Sequence, residues 1–289
     1  MHYEGHIIRP PSEADSILLQ VTVGCSHNRC AFCGAYVGQR FRIKSDEQIV
    51  EDIRYAAEHF PDHRRLFLCD GDPLIIPQPR LLRILGWISE YHPRVKRVGA
   101  YANAKSLGRK SLEQLLELRA HRLKIIHLGL ESGDDEILHR MNKSGDSAFI
   151  VEQGRKVREA GIKLFVSVLL GLGGRTHSER HARETGRALS EMNPDYVGAL
   201  TLMLIPGTPL FRSWQDGGFE LPDATGMLRE LRCLLSHTEL EPGFFFANHA
   251  SNYLPIAARL PADKPRTLAL IDAALAGSIR LKPEWQRGL

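Results

Sequence analysis

Residues 17–36 read ILLQVTVGCSHNRCAFCGAY. The apolar run 17–23 reads as a buried strand. Three cysteines follow on one loop, Cys25, Cys30 and Cys33, spaced C-x4-C-x2-C. Three thiolates at this spacing can ligate three irons of a [4Fe–4S] cluster, which leaves the fourth iron open to a cofactor or substrate. A structural zinc site wants four ligands, and the fourth would have to be distant Cys69, Cys233 or a histidine. A thioredoxin-like thiol pair should open a helix, whereas Gly34 and the segment 36–38 argue for a loop.

Outward from this stretch the chain alternates between short apolar runs and helical patterns. Strands are expected over 17–23, 65–68, 95–101, 124–130, 163–170 and 196–204. Helices are expected over 46–60, 79–91, 111–120, 134–141, 148–160 and 178–192. Ser45 caps the first helix, with acidic residues early in it, and Gly161 stops the helix before the fifth strand. Six alternations imply a parallel sheet. At roughly 30–35 residues per unit they are too few for a closed eight-fold barrel of about 250 residues. The expected fold is therefore α/β, a partial (β/α)6 TIM-like barrel over 1–214. The rhythm stops after Pro206-Gly207-Thr208-Pro209, and residues 215–289 form a C-terminal extension that closes over the barrel, with a helix over 268–276.

The 289 residues are 43% hydrophobic and 25% charged, which excludes disorder, collagen and a disulfide scaffold. No apolar run approaches the ~18 residues of a membrane span. The first residues show no basic flank followed by an apolar segment, so a cytoplasmic protein is expected. Net charge is +4 from 38 basic and 34 acidic residues, and the basic ones are scattered, so support for a nucleic-acid partner is weak. Five cysteines without an export signal point to metal or redox chemistry rather than disulfides.

In a parallel barrel the active site lies at the C-terminal ends of the strands. The second strand ends in Cys69-Asp70-Gly71-Asp72-Pro73 and the third in Tyr101-Ala102-Asn103. The fourth ends in Gly129-Leu130-Glu131-Ser132-Gly133 and runs on through DDEILHRMNK to Lys143. The fifth passes Ser167 into Gly171-Leu172-Gly173-Gly174-Arg175-Thr176, which lacks the Gly-Lys-Ser/Thr ending of a nucleotide loop. The sixth ends in Leu204-Ile205 before the Pro-Gly-Thr-Pro turn. His177 and His181 stand at i and i+4, but Glu179 is displaced from the metalloprotease position, so the pair reads as a solvated helix N-terminus.

In order and spacing these motifs resemble the radical S-adenosylmethionine (SAM) superfamily, in the branch of oxygen-independent coproporphyrinogen oxidase and the methylthiotransferases. The resemblance covers roughly residues 15–210. The first cysteine gap is one residue longer than the family's commonest C-x3-C-x2-C. The resemblance implies that Cys25, Cys30 and Cys33 hold the [4Fe–4S] cluster, with Phe32 near the cluster and the adenine of SAM. It implies that Gly71 and Asp72 stand in the family's Gly-Gly-Glu-Pro segment, which holds the SAM ammonium; Asp70 replaces a glycine there and Asp72 the glutamate. It further implies that Asn103 and Ser167 lie on the SAM side, Glu131 faces the ribose, Lys143 neutralises the SAM carboxylate, and Ile205 flanks the adenine. The implied chemistry is reductive cleavage of SAM to a 5′-deoxyadenosyl radical, which takes a hydrogen atom from an unidentified substrate. A flavodoxin or ferredoxin would supply the electron.

The extension carries Gly243-Phe244-Phe245-Phe246-Ala247-Asn248-His249-Ala250-Ser251-Asn252-Tyr253. His249, Asn252 and Tyr253 are the candidate catalytic or substrate-side residues, because His and Tyr relay protons near neutral pH. A hydrogen-bonded structural corner is the equal alternative. A small molecule or lipid is the expected substrate. The rival functions are a haem or tetrapyrrole carrier with His249 as axial ligand, an RNA-modifying enzyme, and a zinc-structured protein.

Overall fold

The computed structural model describes residues 1–288. Ten strands form among the described residues: β1 (Ile17–Gln20), β2 (Thr22–Val23), β3 (Arg42–Ile43), β4 (Arg65–Cys69), β5 (Arg97–Ala102), β6 (Leu123–Glu131), β7 (Lys163–Leu170), β8 (Tyr196–Thr201), β9 (Gly243–Phe246) and β10 (Ala257–Leu260). Eight of them make a sheet in the order β1-β4-β5-β6-β7-β8-β9-β10, and β2 pairs with β3 apart from it. The pairs β1–β4, β4–β5, β5–β6, β7–β8 and β8–β9 are parallel, and β9–β10 is antiparallel. The chain thus has the expected α/β fold, a mostly parallel sheet with helices between successive strands. No helix among the described residues is long and apolar enough to cross a membrane.

The chain forms two compact units. One comprises Met1–Asn28, Ala35–Leu128 and Lys156–Leu164; the other comprises Arg29–Gly34, Gly129–Arg155 and the chain from Phe165 on. In the first unit, Ser45 caps the helix Asp46–His59 by accepting the Gln48 N–H. That helix buries Ile49, Ile53 and Ala56, spaced to share one face. The helix Gln78–Tyr91 buries Leu81, Ile84, Leu85 and Ile88 in the same way. Each such Ile or Leu side chain contributes about 1.5–3 kcal/mol of burial. Ser111 and Gln114 close a capping box on the helix Leu112–Ala120.

In the second unit the helix Gly174–Met192 packs against Ala224–Ser236. Ile137, Met141, Leu172, Leu202, Leu210 and Phe219 make a core cluster there. A last helix spans Lys264–Leu275.

Two strand readings need correction. The strand expected over 17–23 breaks at Val21, because Thr22 and Val23 pair with Ile43 and Arg42. The strand expected to reach 204 ends at Thr201. Ser167 lies in the middle of β7, which continues to Leu170.

Candidate cluster and cofactor site

In the first unit, the registers Gln20↔Cys69 and Leu68↔Ala100 set the ends of β1, β4 and β5 side by side. The turns that follow those strands meet. Gly71 donates its N–H to the Gly24 carbonyl at 3.1 Å. It lies so close to Cys25 that a Cβ at position 71 would stand 2.4 Å from the Cys25 Cβ and 2.9 Å from its Sγ. Only a residue without a side chain fits beside this thiol.

Asp70 sits at φ +71°, the left-handed region where glycine is at ease and Asp is tolerated. Its Oδ2 accepts from Gly24 N–H at 2.8 Å and Gln20 Nε2 at 2.9 Å, while Oδ1 is buried without a hydrogen-bond partner. Burial pushes the Asp70 carboxyl up, against the pull of Gln20 and Gly24.

Asp72 is fully buried and saturated. Its Oδ2 accepts from Ser26 Oγ and from Asn103 Nδ2 at 2.7 Å, and its Oδ1 accepts from Ser106 Oγ at 2.6 Å. Asn103 Nδ2 also reaches Ser26 Oγ at 3.0 Å. The Asn103 Oδ1 caps the short helix Ala104–Gly108 through the Ser106 N–H. Burial raises the Asp72 carboxyl despite these donors. Asp72 and Asn103 are therefore brought together, and Ser26 and Ser106, which the sequence reading did not single out, complete their network. The one signal for Ser26 was its place next to Cys25.

In the second unit, the cysteine loop Arg29–Gly34 is held along its length. Asn142 Nδ2 donates to the Arg29 carbonyl at 3.1 Å, Ala31 N–H to Met141 at 2.9 Å, and Leu210 N–H to Ala31 at 2.9 Å. Cys33 N–H donates to the Cys30 carbonyl at 3.1 Å. Phe32 packs on the cluster around Ile137 and Met141. Gly34 lies against Ile205, whose Cγ2 would be 2.6 Å from a Cβ there.

Glu131 ends β6 at φ +66°, and Lys143 Nζ stands 3.1 Å from its Oε1, both side chains 12% exposed. A Cβ on Gly129 would fall 2.1 Å from that Oε1, so the pair needs the bare backbone beneath it. Ser167 lies on the half-buried face of β7, opposite Gly198 of β8.

Cys25, Cys30 and Cys33 are each half-buried. In the first unit Gly71 is kept bare beside Cys25, and in the second Cys30 and Cys33 lie on the anchored loop Arg29–Gly34. The other two cysteines are engaged elsewhere. Cys69 packs with Leu18 and Phe67, and burial next to Asp70 pushes its thiol far up, which keeps it protonated. Cys233 lies beside His237 on the helix Ala224–Ser236. Among the described residues, no group of three or more His, Cys, Asp or Glu is gathered as a site for a single metal ion.

The C-terminal segment is largely tied to the sheet. Asn252 accepts from Thr201 Oγ1 at 2.8 Å and donates to the Ala199 carbonyl at 2.9 Å. Ser251 Oγ accepts from Thr201 N–H at 3.1 Å. The Tyr253 hydroxyl donates to Glu284 at 2.7 Å, and the Arg287 guanidinium lies 4.0 Å over its ring. His249 is half-buried; its Nδ1 meets Ser251 Oγ at 2.9 Å and accepts from Ser251 N–H at 3.2 Å. In that tautomer the proton sits on Nε2.

His181 differs from its reading as part of a solvated helix N-terminus. The helix starts at Gly174, one turn earlier than expected, and His181 is 0% exposed. The glycine turn, read as loop, is where that helix begins.

The model of the Radical SAM superfamily matches residues 19–185, more than half of the chain. The chain belongs to the radical SAM superfamily, whose cofactors are a [4Fe–4S] cluster and SAM. An uncharacterized protein of Methanocaldococcus jannaschii, MJ0486, is 24% identical over 282 residues, 94% of this chain and 80% of that protein. The tRNA-2-methylthio-N(6)-dimethylallyladenosine synthase of Thermus thermophilus is 33% identical over 95 residues, 32% of this chain and 20% of the synthase.

Among solved structures, coproporphyrinogen III oxidase (HemN) from Escherichia coli shares the fold with a TM-score of 0.57 at 17% identity, over 76% of this chain and 52% of that one. The methyltransferase TsrM from Kitasatospora setae, solved with cobalamin and a [4Fe–4S] cluster, does so with a TM-score of 0.54 at 18% identity, over 72% of this chain and 41% of that one. This chain therefore spans about half of each solved neighbour and a fifth of the synthase. The fold that these enzymes share is the partial TIM barrel expected from the strand–helix alternation.

Proposed function

We propose that the chain is a radical SAM enzyme in which Cys25, Cys30 and Cys33 hold the [4Fe–4S] cluster. A cluster held there would supply the one electron for reductive cleavage of SAM to methionine and a 5′-deoxyadenosyl radical, which would take a hydrogen atom from the substrate. The chain's own residues bind and orient. The turn at Gly71 and Asp72, with Asn103, receives the SAM ammonium. Lys143 gives its carboxylate a charge-assisted hydrogen bond, and Glu131 turns toward the ribose. Phe32 and Ile205 flank the adenine, with Ser167 on the same side. Residues 215–289 line the substrate side, and His249 is the candidate there with a ring nitrogen not bonded to Ser251. The substrate is a small molecule or lipid. A small acidic flavodoxin or ferredoxin suits a chain of net charge +4, and the cytoplasm suits a chain with this many thiols.

The observation that carries this reading is the packing of Gly71 on Cys25. It supports the reading because the turn at Gly71 lies against Cys25. The test is anaerobic reconstitution with iron and sulfide, then SAM and dithionite, with an assay for 5′-deoxyadenosine. The product is expected from the wild-type chain and not from Cys30→Ala. A reduced, cluster-loaded chain that neither binds nor cleaves SAM would refute the reading.

A second reading, RNA as the substrate, draws on the 95-residue similarity to the tRNA-modifying synthase. It requires RNA binding that weakens steeply with salt.

A further inference from the structure

His181 and Glu230 are a buried imidazole and a buried carboxyl, 0% and 1% exposed, in the second unit. They lie on different helices, Gly174–Met192 and Ala224–Ser236. Between them they join two strand-end turns. On one side, His181 Nδ1 meets Ser132 Oγ at 2.8 Å, and Ser132 Oγ accepts the Asp134 N–H at 3.0 Å. Ser132 directly follows Glu131, whose left-handed backbone aims its carboxylate at Lys143. On the other side, His181 Nε2 donates to the Leu169 carbonyl at 3.0 Å and stands 3.5 Å from Glu230 Oε1. Glu230 accepts the Gly171 N–H on Oε1 and the Ser178 hydroxyl on Oε2. Glu230 thus ties the glycine turn before the helix Gly174–Met192 to that helix's Ser178.

The turn after β6 is pinned to this helix a second time. Gly133 donates to Thr185 Oγ1 at 2.9 Å, and a Cβ at 133 would stand 2.3 Å from the Glu184 carbonyl oxygen. A left-handed glutamate persists only where its surroundings over-determine it. The groups that do so here are Ser132, Gly133 and, through Ser132, the His181–Glu230 pair.

We infer that His181 and Glu230 are positioning residues for SAM: through Ser132 and Gly171 they lock the turns 131–133 and 171–174 to one helix and so hold Glu131 and Lys143 in their binding geometry. The inference rests on the proposed reading that Glu131 and Lys143 face SAM. Neither positioning residue touches SAM, so the effect is on affinity and not on cluster assembly.

The test is equilibrium dialysis of labelled SAM against the cluster-reconstituted protein, with iron content and Tm measured on the same samples. Ser132→Ala removes one buried hydroxyl and leaves the core intact; it should weaken SAM binding about tenfold with iron content unchanged. Glu230→Ala should weaken it further. Glu230→Gln, whose amide oxygen still accepts the Gly171 N–H, should recover most of the loss. A Ser132→Ala or Glu230→Ala chain that binds SAM within twofold of wild type, whatever its Tm, would show that the pair only stabilises the fold and overturn the inference. A wild-type, cluster-loaded chain that binds no SAM would overturn the reading beneath the inference, and the inference with it.

Discussion

The Asn103 side chain donates to the Asp72 carboxylate at 2.7 Å, and both reach Ser26, the residue after Cys25. The end of β5, the turn after β4 and the start of the cysteine segment are therefore one buried hydrogen-bonded unit. By the resemblance, Asp72 takes the place of the family's glutamate. Its shorter side chain is met by Ser26 and Ser106, so the acid acts as a fixed post for the turn that carries Gly71.

Asn103→Ala removes a donor from a buried carboxylate and the cap of the helix Ala104–Gly108. Loss of one hydrogen bond to a carboxyl costs about 1.5 kcal/mol, and loss of a cap about 1 kcal/mol. Urea unfolding should show a loss of about 2–3 kcal/mol. A loss below about 0.5 kcal/mol, the range of an ordinary surface substitution, would contradict the network.

Gly71→Ala drives a methyl group into the Cys25 side chain. The first thiol must move, and on the proposed reading it is one of the three that hold the cluster. Iron and sulfide bound after reconstitution should fall below half the wild-type content while the far-UV circular dichroism stays the same. Full iron loading by this variant would show that Cys25 has room to spare.

Asp70→Asn tests the buried carboxyl through pH. Burial raises the folded-state pKa of Asp70, while the unfolded chain ionises near the ordinary value of about 3.9. The stability this acid contributes is present in full below that value and is lost as pH rises through the folded pKa. Asparagine cannot ionise and tolerates the same left-handed backbone. The Tm of Asp70→Asn relative to wild type should therefore climb as pH is raised from about 3 to about 7. A difference constant across that range would mean that Asp70 is not shifted.

Lys143→Ala strips the partner from a largely buried Glu131. The KM for SAM should rise at least about tenfold, in keeping with loss of a charge-assisted hydrogen bond, roughly 1.5–3 kcal/mol. An unchanged KM would remove Lys143 from the SAM site.

Much of the fold was legible because its signals are local. Ser45, Ser111 and Asp134 each cap the helix placed after them, and the apolar spacing of Ile49, Ile53 and Ala56 fixes that helix's buried face. The cysteine spacing pointed to the family for the same reason. What stayed hidden depends on distant partners. Glu230 lies 59 residues from the Gly171 N–H that it accepts, so nothing near the glycine turn marks it as a helix start. His181 reads as an exposed i, i+4 histidine until Ser132, 49 residues away, is placed against it. The strands β9 and β10 are short, and pairing decides them: Tyr196 meets Phe244 across strands that lie far apart in sequence. At Asp70 the sequence alone does not show the left-handed backbone, a conformation that favours glycine.

The central claim is that three cysteines hold a cluster with one iron left for SAM. Electron paramagnetic resonance of the anaerobically reconstituted, dithionite-reduced protein tests it most directly. A reduced [4Fe–4S] signal that changes on adding SAM and is absent in Cys30→Ala is expected. A colourless preparation that takes up zinc and gives no cluster signal, or a cluster signal that SAM leaves untouched, would contradict it.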